Sequence, residues 1–328
     1  MGMRLGDVGE FGLIAKLRFT LEKDWDNLVM GVGDDAAVFR SCGEKLWAFA
    51  VDAMVEGVHF DPEYVPWHAL GYKALAINLS DLAAMGGCSF SFALVNLGLA
   101  GDIEVEAVEE MYRGSKECGE AFSCAVVGGD MVRSPGAMFV SVAVVGAMHG
   151  DRFLRRDGAR PGQAVLVTGS LGSSYLGLRW LMEGRGGDNR CAQRHLYPQP
   201  RLEEGREALA LGATAAIDIS DGLLRDLGHI CEESGVGAEI FLHRLPLSEE
   251  AVETGRELGE DPFLAALHGG EDYELILTAD ERDVPMLEEE LGVTVIGGIT
   301  SGKGIRVLDS SGKELSMKES GYEHFRED

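Results

Sequence analysis

Residues 66–85, PWHALGYKALAINLSDLAAM, decide the architecture. Leu70, Ala74, Ile77 and Met85 recur at helical spacing, so the segment reads as a helix. Asn78 and Asp81 stand three residues apart on neighbouring ridges, which places a carboxylate on a rigid element. Upstream, LWAFAVD (46–52) alternates Trp47, Phe49 and Val51 with Leu46, Ala48 and Ala50. That is a strand delivering Asp52 at its end. Downstream, the pattern predicts a strand over Phe90 to Leu99, a helix from Ile103 to Cys118 and a short strand ending at Gly128-Gly129-Asp130. A further strand is expected from Ala137 to Met148. The first half is therefore expected to be a mixed α/β sandwich.

Near Gly150 the last apolar strand gives way to the charged stretch DRFLRR (151–156), which suggests domains at 1–149 and 150–328. In the second, strands are expected at 164–168, 215–219, 238–242, 273–278, 293–299 and 305–308. Helices are expected over 173–182, 202–211 and 223–233, with a polar loop from Arg185 to Pro200. Gly297 to Lys303 spells G-x-x-x-x-G-K, but Gly304 stands where a phosphate-binding loop needs serine or threonine. It reads as a hairpin turn. Gly31-Val32-Gly33 lacks the third glycine of a dinucleotide fingerprint, and Asp34-Asp35 would repel a bare pyrophosphate.

A length of 328 residues with 45% hydrophobic content suits two domains with real cores. The formal net charge of −26, from 55 acidic against 29 basic residues, argues against nucleic acid or an anionic membrane surface as partner. The six cysteines form no C-x-x-C pair, as expected of reduced thiols in a cytoplasmic protein. The opening MGMRLGD has no signal-peptide core, and no uncharged run approaches membrane-spanning length.

Acidic residues recur beside glycine or small residues at the ends of apolar runs: Asp34-Asp35, Asp52, Asp81, Asp130, Asp218 with Asp221, and Glu271-Asp272. Any one of them alone would pass for a turn or helix cap. Together, carboxylates set against apolar elements repel one another and lose hydration, so they persist when a cation neutralises them. Oxygen-only ligands select a hard ion such as magnesium, which commonly shares its shell with substrate phosphates. No serine or cysteine sits in a motif that supplies a base. The composition of the sites therefore points to magnesium-dependent phosphate chemistry.

The strings GVGDDAAV (31–38), VDAMVEGVHF (51–60), YKALAINLSDLAAMG (72–86), GGDMVRSP (128–135), RDGARPGQAVLVTGSLG (156–172), HLYPQPR (195–201), AIDISDGLLRDLGHI (216–230) and GGEDYEL (269–275) together resemble the thiamine-monophosphate kinase family. Looser forms occur across the wider superfamily of aminoimidazole ribonucleotide synthetase, selenophosphate synthetase and hydrogenase maturation enzymes. The resemblance implies an α/β (α+β) fold of two domains. The N-terminal one would be a ferredoxin-like mixed sheet that binds ATP and magnesium and pairs in a homodimer. The C-terminal α/β domain would cover the cleft. Carried over motif by motif, Asp35, Asp52, Asp81, Asp130, Asp218 and Asp221 resemble magnesium ligands, with Asp52, Asp130 and Asp218 central to catalysis. Gly129, Asp130, Arg156 and Ser220 resemble ATP contacts, and Asp34 is their neighbour. His59, Glu271 and Tyr322 fall where the family touches thiamine monophosphate. Ala50 and Val51 replace hydroxyl residues usual before the metal-binding aspartate, and Met131-Val132 replaces a threonine pair.

The chemistry expected is direct transfer of the γ-phosphoryl group of ATP. A phosphate monoester with a second pKa near ~6 is already a dianion at neutral pH and needs no general base. Two other readings remain. One is another ATP-using enzyme of the superfamily, although no cysteine lies before Cys42 and the chain ends FRED. The other is a divalent-cation-binding protein without turnover.

Overall fold

The computed structural model describes residues 9, 10, 12–14, 16–18 and 25–315. Tyr322 lies outside them. Two mixed sheets carry the chain. The first contains β1 (Leu28–Met30), β2 (Ala37–Arg40), β3 (Leu46–Val55), β4 (Cys88–Leu99), β5 (Cys124–Arg133) and β6 (Phe139–Met148) in the order β1-β2-β3-β6-β4-β5. β4 and β5 run parallel and the other neighbours antiparallel. Helices α1 (Trp67–Ala84) and α2 (Val105–Ala121) cover one face. They touch backbone to backbone: a Cβ on Gly71 would stand 1.8 Å from the Met111 carbonyl oxygen, and one on Gly114 would stand 1.9 Å from that of His68.

The second sheet contains β7 (Ala164–Val167), β8 (Ala213–Asp218), β9 (Gly237–Phe241), β10 (Leu275–Ala279), β11 (Thr294–Thr300), β12 (Gly304–Leu308) and β13 (Glu314–Leu315), ordered β13-β12-β9-β11-β7-β10-β8. Around it pack α3 (Ser173–Met182), α4 (Arg190–Leu196), α5 (Leu202–Ala210), α6 (Leu223–Ser234), α7 (Glu249–Leu258), α8 (Pro262–His268) and α9 (Val284–Leu291). No described helix is long and apolar enough to cross a membrane.

α1 is buried nearly all round, because β3, β6 and α2 lie on one side and α4, α5 and β8 on the other. Its Leu70, Leu75, Leu79 and Leu82 share one hydrophobic core with Leu166, Ala216, Leu275 and Leu277 of the second sheet. Packing from both sheets, rather than a single apolar stripe, holds this helix in place.

Three expectations need correction. Arg185 to Pro200 contains α4, whose start is capped by Asn189 Oδ1 accepting from the amides of Cys191 at 2.8 Å and Ala192 at 3.2 Å. Only Cys191, Ala192, His195 and Leu196 of this short helix are buried, so its polar face resembled a loop. β11 and β12 do not form a hairpin, since β9 lies between them and pairs in parallel with β12. The strand expected to end at Asp130 continues to Arg133 along the sheet edge.

Candidate active site

α1 presents Asp81 where the two sheets meet. Asp35, from the turn between β1 and β2, and Asp218, at the end of β8, come to the same place. One oxygen from each of the three carboxylates lies within 4.8 Å of the others. Asp218 Oδ2 accepts from Ser80 Oγ at 2.6 Å. The Asp52 amide donates to Asn78 Oδ1 at 2.9 Å, which ties β3 to α1 one turn before Asp81. Arg156 Nη2 pairs with Asp35 Oδ1, and the Arg156 amide donates to Asp34 Oδ2 at 3.2 Å. Asp35 Oδ2 is buried with no hydrogen-bond partner among the described residues.

The charge here is unbalanced. Burial, followed by the field of Asp35, pushes Asp218 and Asp34 up to about 7. The same two causes push Asp52 up to about 6. Burial and then Asp52 hold Asp81 well above the usual carboxylate range. The Arg156 guanidinium does not offset this many buried carboxylates.

Beyond Asp218 the chain turns on another carboxylate. Asp226 Oδ2 accepts from the amides of Ser220, Asp221 and Gly222 at 3.0, 3.1 and 3.1 Å, while Asp221 pairs with Arg225 at 3.5 Å. This turn is stitched to residues 269–273. The Glu271 amide donates to the Ser220 carbonyl at 2.8 Å and the Tyr273 amide to that of Ile219 at 2.9 Å. Gly270 permits the approach, since a Cβ there would stand 2.2 Å from the Ser220 oxygen. Glu271 itself takes a left-handed φ of 62°.

Glu271 is balanced where the aspartates are not. Its Oε1 lies 2.8 Å from Lys73 Nζ and its Oε2 lies 3.5 Å from His195 Nδ1. Burial would raise this carboxyl, but Lys73 outweighs burial and holds it below the ordinary value, while His195, pushed down to about 3 by burial and Lys73, stands beside it as a neutral ring. His59 adds to that lowering, its Nδ1 accepting from the Val55 amide at 3.1 Å.

Of the residues singled out from sequence, Asp35, Asp81 and Asp218 form the group proper, with Asp52, Asp34 and Arg156 against it. Ser220 and Asp221 occupy the adjoining turn. His59 and Glu271 lie together on the other side. Asp130 stands apart: it is exposed on the edge strand β5, accepts from the Met131 amide at 2.9 Å, and with Gly129 lines a cleft of about 830 Å³ that also includes Tyr112 and Lys116. Sequence reasoning assigned no role to Lys73, Ser80, His195 or Asp226. All four lie inside the strings that carry the family resemblance, and for Lys73 a lysine amid the apolar run of α1 is the available signal.

Residues 33–148 match the N-terminal domain of AIR synthase related proteins, and residues 160–310 match their C-terminal domain. The fold is thus that of a two-domain AIR synthase related protein. Among curated relatives, the thiamine-monophosphate kinase of Aquifex aeolicus is 40% identical, covering 98% of this chain and 100% of its own. That of Escherichia coli strain K12 is 36% identical, covering 97% and 98%. A solved structure of AaThiL complexed with AMPPCP and TMP superposes with a TM-score of 0.87 at 38% identity, covering 99% of both chains. The chain belongs to the thiamine-monophosphate kinase family.

Proposed function

We propose that this chain transfers the γ-phosphoryl group of ATP to thiamine monophosphate, giving thiamine diphosphate and ADP. The observation that carries the reading is the Asp35–Asp81–Asp218 group, three carboxylates with converging oxygens whose charge Arg156 does not balance. Its donors are all oxygen and one Asp35 oxygen has no hydrogen-bond partner, which fits a hard divalent ion. Asp35, Asp52, Asp81, Asp218 and Asp221 would hold magnesium, with Asp130 contributing from β5. Bound there, magnesium neutralises phosphate charge and favours in-line displacement.

The chain's own groups do the rest. Arg156 stays charged at any working pH, its guanidinium raised further by Asp35 despite burial, and offers its remaining donors to the triphosphate. Ser220 and Gly129 line the nucleotide's path. The turn closed by Asp226 fixes Asp218 and Asp221 relative to Glu271, so nucleotide and acceptor sites share one backbone scaffold. Glu271 and His59 receive the organic part of the acceptor, and Tyr322 joins them by resemblance. No residue need remove a proton, because the acceptor phosphate arrives as a dianion.

In this reading residues 1–149 bind ATP and dimerise while residues 150–328 cover the cleft. Support for the dimer comes from the face of the first sheet turned away from α1, where Phe49, Val51, Phe92, Leu94 and Val127 are exposed. Pairing there would also bring β5, with Asp130, into the interface. The unpaired thiols suit a cytoplasmic enzyme. The test is ADP release from ATP and magnesium, with and without thiamine monophosphate. Release that requires the acceptor is expected. Release indifferent to the acceptor, or none, would overturn the proposal and favour a superfamily relative or a non-catalytic cation binder.

A further inference from the structure

Lys73 is the largest side chain wholly enclosed in the described structure, only 2% exposed at the middle of α1. A buried ammonium is costly unless it is paired and hydrogen-bonded, and a leucine would fill this core position without that cost. Its one carboxylate partner among the described residues is Glu271, at 2.8 Å. Its Nζ also lies 3.2 Å from His195 Nε2. An ammonium can only donate, so Nε2 accepts and the ring proton sits on Nδ1. Nδ1 in turn faces Ser174 Oγ at 3.1 Å and Glu271 Oε2 at 3.5 Å. Oε1 of Glu271 is thus held by the Lys73 ammonium, itself braced by the His195 ring, and that ring faces Oε2 at 3.5 Å. The side chain nevertheless stays about a quarter exposed, and each oxygen keeps a lone pair with which to accept from a ligand.

We infer that Lys73, together with His195, is a positioning residue for acceptor recognition: the pair orients the Glu271 carboxylate toward the nitrogen-bearing part of the acceptor. The inference rests on the function proposed above and deepens it. The direction of control is set by anchorage. Lys73 is held by the core helix that also carries Ser80 and Asp81, and His195 by α4. Glu271 sits on a loop with a left-handed φ, fixed at its backbone to Ser220. Without Lys73 the loop keeps its place but the carboxylate loses its aim.

The experiment is steady-state kinetics on wild type, Lys73→Met, Glu271→Gln and the double variant, with KM measured separately for each substrate. Lys73→Met should raise the acceptor KM on the order of tenfold or more, as removal of supporting partners does, and leave the ATP KM nearly unchanged. Because the double variant buries no unpaired charge, it reports even if Lys73→Met is unstable. It should resemble Glu271→Gln alone in acceptor KM. An acceptor KM unchanged in Lys73→Met, equal changes in both KM values, or fully additive effects in the double variant would overturn the inference. Wild-type protein that fails to turn over thiamine monophosphate would overturn the function proposal itself, an outcome distinct from these.

Discussion

Two buried acidic regions adjoin across the 218–221 turn and treat charge in opposite ways. Around Asp81, several carboxylates share one guanidinium and are pushed toward protonation. Across that turn, Glu271 is answered by Lys73 at 2.8 Å, and Glu274 by Arg194 at 2.8 Å and Arg201 at 2.6 Å. Among the described residues, the second region is matched by basic side chains, and the first is not. Acidity alone therefore does not distinguish the two regions; the balance of charge around it does.

The strongest way to break that contrast is Asp218→Asn. The amide keeps an oxygen for the Ser80 hydroxyl while removing the charge, so turnover should fall on the order of a thousandfold or more. The unfolding midpoint without metal should hold or rise as repulsion is relieved. Wild-type turnover in this variant would erase the distinction. Glu274→Gln should do the reverse. It leaves Arg194 and Arg201 short of a buried partner, so stability should drop by about 3 kcal/mol with or without magnesium, read from denaturant unfolding.

A pH series sharpens the comparison further. Asp34, Asp52 and Asp218 have folded values of about 6 to about 7 against an ordinary 3.8. A raised folded value means that the native state binds protons more tightly. Its stabilising contribution is full at low pH and lost as pH rises through about 6 to about 7. Metal-free protein should therefore show a falling contribution from this site across that window, and added magnesium should restore more at the alkaline end. A metal-free midpoint with no decline there would contradict the charge assignment. The smallest effect belongs to surface pairs: Arg113→Ala, which breaks exposed pairs to Glu109 and Glu110, should shift stability by less than about 0.5 kcal/mol.

Much of this was legible in the sequence because the residues combine a local pattern with an unusual chemical type. α1 announced itself by periodicity, and the aspartates by their places at the ends of apolar runs. What stayed hidden depends on long-range pairing. Lys73 and Glu271 are far apart in sequence, so nothing local says that they neutralise each other. Asp226 falls inside the helix expected over 223–233, and nothing local shows that its carboxylate closes the Ser220–Gly222 turn. The short α4 was obscured by its polar face, and the β11–β12 connection by a sheet order that neighbouring strands in sequence cannot reveal. Tyr322 lies outside the described residues, and Asp130 reaches the group only through the proposed dimer.

In the function proposed, the Asp35–Asp81–Asp218 group binds a divalent cation and Glu271 does not. Thermal unfolding at a pH near ~8, with and without magnesium and in the absence of nucleotide, addresses it directly in wild type, Asp81→Asn and Glu271→Gln. Magnesium should raise the midpoint of wild type and of Glu271→Gln alike, and this increment should vanish in Asp81→Asn. No increment in wild type, or one that survives Asp81→Asn, would contradict the account.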